Sequence, residues 1–150
     1  MLQKELLMKY SIIFFILLVL IFEACSKKKE EKLKVYNSTA FAYDLGDKNW
    51  EVDASARVKG FTQTEEGNMY KASLAFEIYL ITPENDTIKS LISKIVDKSE
   101  KESMSDTGLE AQFDLDSTYS YGTYKILWKV KDVATNDTAS TDTNFKLSNE

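Results

Sequence analysis

Asp114 and Asp116 stand two residues apart, so an extended strand would present both carboxylates on one face, near the spacing of a paired acid/base site. The solvated face of a strand accounts for the same pair without chemistry. Asn136, Asp137, Asp142 and Asn144 place side-chain oxygens near one turn, the ligand type that calcium takes. Their spacing matches no defined calcium loop, and a polar hairpin is the plainer account. The chain has no histidine, which removes the commonest general base, the commonest zinc ligand and the physiological pH switch. A Ser-His-Asp or Cys-His site cannot be built. No phosphate loop or nucleotide fingerprint is present. The expectation is no catalytic residue, no metal and no cofactor. Tyr79, Tyr119 and Tyr121, with Tyr36 and Ile81, are candidates for exposed binding aromatics. A flat row of them could stack on sugar rings or on protein; ordinary cross-strand packing is the alternative.

The elements that carry these residues come after a distinctive leader. Lys4 and Lys9 precede an unbroken apolar run from Ile12 to Phe22, which ends at Glu23-Ala24-Cys25. A cationic start, an apolar stretch of about 7–15 residues and a small residue at the cut describe a secretory signal. Crossing a bilayer needs about 20 apolar residues, so the run spans only if extended back through Lys9 to Leu6. The segment from Ile12 to Cys25 resembles the bacterial lipoprotein signal. That resemblance implies cleavage before Cys25 and lipid on its sulfur and new amino terminus; an uncleaved anchor is the alternative. Either places the remainder of the chain outside the cytoplasm at a membrane. Cys25 is the only cysteine, so no internal disulfide can form.

Ser26 to Lys32 is charged and free of apolar side chains, the composition of a flexible tether. Ser26 is not the aspartate of inner-membrane retention, and Lys29-Glu30-Glu31 resembles the export tag of some surface lipoproteins. A solvated tether explains those three residues too. The expected organisation is a signal peptide over 1–24, a tether over 25–33 and one domain over 34–150. The expected address is the bacterial cell envelope, at the outer membrane or cell surface. A net charge of −5 without a basic stripe argues against nucleic acid as a partner.

From Lys34 the pattern has period two. Val35, Thr39, Phe41 and Tyr43 are expected on one face of a first strand. Leu45 to Asn49 is a turn. In the second strand Trp50, Val52, Ala54, Ala56 and Val58 alternate with Glu51, Asp53, Ser55, Arg57 and Lys59, the signature of one buried and one wet face. Gly60 breaks this alternation, and Glu65 to Asn68 reads as a hairpin turn. Met69 to Thr82 alternates again until Pro83. Over 88–96, Ile88, Leu91, Ile92, Ile95 and Val96 also fit a helix, with Asp86 as its cap, but β-branched content and neighbouring strands favour a strand. Lys98 to Asp106 is expected to be a loop or frayed strand end. Further strands are expected around Leu109–Leu115, from Gly122 to Asp132, and around Thr141–Leu147. About seven short strands separated by turns predict an all-β antiparallel sandwich.

Ser120-Tyr121-Gly122-Thr123-Tyr124-Lys125-Ile126 resembles the corner and following strand of immunoglobulin-like domains. The resemblance implies that Gly122 and Tyr124 form a structural corner in which the tyrosine bonds back to the backbone. Ile126 occupies the place of a disulfide cysteine, and Phe76 stands where the core tryptophan would be. The expected fold is therefore an immunoglobulin-like or fibronectin-like β-sandwich. The expected function is a non-catalytic, lipid-anchored binding or assembly module with a protein partner. A surface-polysaccharide module and a small carboxylate-dependent hydrolase are the alternatives.

Overall fold

A computed structural model of the protein describes residues 31–148. The expected signal peptide 1–24, Cys25 and the tether up to residue 30 lie outside the described residues. The strands, in order, are β1 (Lys34–Gly46), β2 (Asn49–Lys59), β3 (Thr64–Glu66), β4 (Met69–Ile81), β5 (Thr87–Glu100), β6 (Asp106–Leu115), β7 (Gly122–Asp132) and β8 (Thr138–Leu147). All pair antiparallel. One sheet has the order β1-β2-β6. In the other, β5, β4, β7 and β8 lie side by side, and β3 pairs with the start of β4.

The fold is an antiparallel immunoglobulin-like β-sandwich. It departs from the constant-type arrangement at one strand: β5 pairs with β4 rather than with β6. There are eight strands among the described residues where about seven were expected. The extra one, β3, is three residues long, too short to register as an alternation. It forms because Gly67 and Asn68 both adopt positive φ, +56° and +68°, the turn geometry that matches the twist of a hairpin.

The inner faces arise from the period-two patterns. Trp50, Val52, Ala54, Ala56 and Val58 of β2 are buried in one cluster with Leu74, Phe76, Ile78 and Leu80 of β4. Tyr124, Ile126, Trp128 and Val130 of β7 complete its centre. Each large apolar side chain removed from water contributes about 1.5–3 kcal/mol, and with no disulfide this packing carries the fold. Phe76 tilts against Trp128 at 5.3 Å between ring centroids, and Tyr124 stacks on Phe145 at 5.5 Å.

Two strands differ from the simple alternation, and both carry a residue in left-handed backbone. In β1, Asn37 has φ +49° and the register against β2 shifts between Tyr36 and Thr39. A bulge of this kind adds a residue and moves every later side chain to the opposite face. Val35 is buried before it and Ala40 after it, while Phe41 and Tyr43 turn outward. The single face expected for Val35, Thr39, Phe41 and Tyr43 is thus corrected. In β5, Ser90 has φ +50° and the ladder with β4 is irregular between Ile78 and Leu80. Ile88 lies opposite Leu80, and Ile92 and Val96 lie opposite Ile78 and Leu74. The helix-like spacing over 88–96 arises from this irregularity, which leaves Leu91 as well as Ile92 against the core, plus one apolar residue on the second face, Ile95. The segment is strand, and it runs on to Glu100, beyond the expected end.

β5 is the edge of its sheet, and its free side pairs with no other strand among the described residues. Lys94 and Lys98 stand opposite Phe76 and Ala72, so two cations point along the inner-facing parity of the edge. Inward charges and a bulge are devices that discourage edge-to-edge pairing.

The start of the described chain packs onto this body. Leu33 lies against the core, Lys59 pairs with Glu31, and the Lys32 carbonyl approaches Gly60 closely enough that a Cβ there would sit 2.3 Å from it. Gly60 has φ +71°, so both its conformation and its clearance require glycine. Asp132 closes β7 as a buried carboxylate and accepts from the backbone N–H of Thr62 at 2.7 Å and of Ala134 at 2.8 Å. Burial pushes its pKa up, but the N–H donors of Thr62, Ala134 and Thr135 outweigh this and hold it below the ordinary value.

Candidate functional site

The residues singled out for chemistry are dispersed by the fold. Asp116 sits in the turn after β6, where its Oδ1 accepts from Thr118 N–H at 3.0 Å and Thr118 Oγ1–H at 2.5 Å. These hydrogen bonds lower its pKa, the wrong direction for a general acid. Asp114 lies on the outer face of β6 opposite Glu51. Asn136 occupies a turn at φ +66°, whereas Asp142 lies within β8 and pairs with Lys125 at 3.4 Å. Among the described residues, no group of acidic, cysteine or histidine side chains gathers to hold a metal.

The three candidate tyrosines occupy different places. Tyr79 is half-buried on the outer face of β4, with the Lys129 ammonium 4.1 Å above its ring. Tyr119 is half-buried and packs against Tyr124, 6.3 Å away. Tyr121 is exposed and meets Trp50 edge-on at 5.7 Å. They form no row.

At the corner, the Tyr124 hydroxyl donates to the Ser120 carbonyl at 2.8 Å. Burial pushes its phenol above the ordinary pKa. Gly122 has φ +151°, and a Cβ there would stand 2.7 Å from the ring of Pro83. The segment entering β7 is thereby clamped between its own upstream carbonyl and the turn after β4. Cys25, the expected lipid attachment, lies outside the described residues.

A different set of side chains is gathered on one surface. On the outer face of the β1-β2-β6 sheet, the register places Phe41 beside Asp53 and Gln112, and Tyr43 beside Glu51 and Asp114. Phe41 is 60% exposed, Tyr43 52%, and Leu45, at the end of the same strand, 60%. A shallow concavity of about 570 Å³ runs beside Phe41, lined by Thr39, Asp53, Ser55, Glu110, Gln112 and Lys94. Thr39 and Ser55 hydroxyls lie 2.9 Å apart across it.

The far end of this face is fixed by ions. Arg57 donates from Nε to Asp106 Oδ2 at 2.9 Å, a second guanidinium nitrogen reaches Oδ1, and the Tyr36 hydroxyl also donates to Asp106. The Arg57 hydrogen bonds, then that of Tyr36, hold the Asp106 pKa down to about 2. The face therefore has an ion-paired end and an end of exposed aromatics beside carboxylates. The exposure of Phe41 and Tyr43 was missed by simple alternation. The one signal for it is Asn37, a residue type that tolerates positive φ and so can host a parity-changing bulge.

No family model matches the sequence, and no curated protein matches it. Among solved structures the chain is similar to the N-terminal domain of PorA, at 12% identity over 78% of this chain and 87% of that one, with a TM-score of 0.33. It is also similar to a calcium-binding mutant of beta-glucuronidase 2 from Bacteroides uniformis, at 8% identity over 73% of this chain, with a TM-score of 0.53. The chain spans 13% of that glucuronidase's length, and the likeness shows the fold alone, an all-β domain.

Proposed function

We propose that the protein is a non-catalytic binding or assembly module, held at the bacterial envelope by lipid on Cys25, and that it docks a protein partner on the outer face of the β1-β2-β6 sheet. The observation that carries this reading is the exposure of Phe41, Tyr43 and Leu45 on a single strand. Large apolar side chains left together in water, beside polar groups, mark interaction surfaces more often than scattered single ones do. The resemblance of the leader to a lipoprotein signal supports an address at the outer membrane or cell surface, and the net charge of −5 argues against nucleic acid as a partner.

Two experiments test the parts separately. Labelled fatty acid should enter the wild type and not Cys25→Ala, and protease applied to whole cells should report the side of exposure. Replacing Phe41 and Tyr43 by Ala should weaken partner binding by about tenfold or more, the effect of losing about 1.4 kcal/mol of buried contact. Unlabelled wild type recovered from cytosol would remove the anchor, and unchanged binding by the double variant would remove the face. A polysaccharide ligand is the second reading, favoured by the hydroxyl, amide and carboxylate lining beside Phe41. Retention of the purified protein on cell-wall glycan stripped of protein would distinguish it.

A further inference from the structure

The two outer faces of the sandwich differ in their balance of charge: carboxylates outnumber cations on one and lysines outnumber carboxylates on the other. On β2, Glu51 and Asp53 occupy consecutive outward positions, with Asp114 opposite Glu51 and Glu110 opposite Ser55 on β6. None of these four carboxylates has an ion-pair partner among the described residues. On β7, Lys129 and Lys131 occupy consecutive outward positions of the other sheet, with Lys125 further along; Glu77 of β4 stands opposite Lys129, whose ammonium lies over the Tyr79 ring. Neither Lys129 nor Lys131 is ion-paired among the described residues. Alternate residues of any strand are about 6.6–6.8 Å apart, so the acidic pair and the basic pair present charges at the same interval.

The apolar features fit the same alignment. Phe41 is the register neighbour of Asp53, and Tyr43 of Glu51. On the opposite sheet, Lys131, Ala75 and Ile95 form one cross-strand row. Beside that row lies a depression of about 690 Å³, walled by Ile95, Lys129, Lys131 and the single carboxylate Glu77, and floored by small side chains, Ala75, Ser93 and Ser140. Ile95 is 68% exposed there. An aromatic side chain inserted into this depression would bring neighbouring carboxylates onto the lysines.

We propose that the partner of the aromatic face is a second copy of this chain, with Phe41 or Tyr43 of one copy seated in the Ile95 depression of the next and Glu51 and Asp53 facing Lys129 and Lys131. This rests on the reading of the β1-β2-β6 face as a docking surface and names its occupant by charge complementarity. The contact joins two different surfaces, so it is heterologous: a joined pair keeps one face of each kind free, and the assembly extends as a row or closes as a ring. A membrane anchor would confine such rows to the plane of the bilayer.

The test is sedimentation equilibrium of the full-length protein in density-matched detergent, at about 0.01 M and about 1 M salt, where the Debye length falls from about 30 to about 3 Å. The wild type should self-associate at low salt and dissociate at high salt. Glu51→Lys with Asp53→Lys should weaken association by about tenfold or more, and so should Lys129→Glu with Lys131→Glu. An equimolar mixture of the two reversed proteins should regain it, as should one chain bearing all four changes. A reversed variant whose urea midpoint moves is replaced by Asp53→Lys or Lys131→Glu alone, with the same direction expected at smaller size. A wild type that stays monomeric at every concentration overturns the proposal, as does association indifferent to salt and charge reversal. In either case a discrete adduct formed in cells from position 41 to a different protein would leave the docking face standing, so the two failures are distinguishable.

Discussion

Asp106 shows how much of this surface is set by a few polar contacts. Its carboxylate is held at a pKa of about 2 by hydrogen bonds from Arg57 and Tyr36, against about 3.9 for a free aspartate. A depressed carboxylate stabilises the folded state fully above its unfolded pKa and loses that contribution as pH falls through the folded value. Between about pH 4 and pH 2, Asp106→Asn should therefore show a shallower fall in urea midpoint than the wild type; parallel curves would contradict the pairing. Asp132 has the same sign, because its backbone donors keep it ionised despite burial. Tyr124→Phe removes only the hydroxyl that donates to the Ser120 carbonyl. It should cost about 1 kcal/mol in chemical denaturation, the ordinary net worth of one hydrogen bond. An unchanged stability would mean that the corner is held by packing against Phe145 and Pro83 alone.

At the scale of single strands, legibility depended on whether the backbone kept its parity. β2 and β7 were readable because Trp50 to Val58 and Tyr124 to Val130 alternate without interruption, and all of those inward residues are buried. β1 was misread beyond Tyr36 because one left-handed residue, Asn37, exchanges the faces, and composition alone does not locate such a residue. β5 was ambiguous because Ser90 breaks its register and both its faces carry apolar side chains. β3 has no sequence pattern of its own and exists through the turn at Gly67 and Asn68. The exposed aromatic face was hidden by the same bulge that hid the parity of β1. Asn37→Val places a β-branched residue at φ +49°, so it should destabilise the domain by about 1–3 kcal/mol or remove the bulge. If the bulge is lost, Phe41 and Tyr43 turn toward the core, and their accessibility to aqueous quenchers should fall. A variant with wild-type stability and wild-type quenching would contradict the role given to Asn37.

Across the whole molecule, the sandwich supplies two broad faces that its core does not need, and the charged residues on them are unevenly sorted by sign. Carboxylates outnumber cations on the face with the aromatics, and lysines outnumber carboxylates around the open depression of the other. That sorting is invisible in a net charge of −5 and in any single strand. It appears only when the register sets Glu51 beside Tyr43 and Lys131 beside Ala75. In the folded domain the side left with exposed aromatics is the outer face of the β1-β2-β6 sheet. A photo-crosslinking amino acid at position 41 in living cells, compared with one at position 68 on the distant hairpin turn, probes that side directly. Docking on the aromatic face predicts a discrete adduct from position 41 and none from position 68. No adduct from position 41, or the same adducts from both, would contradict it.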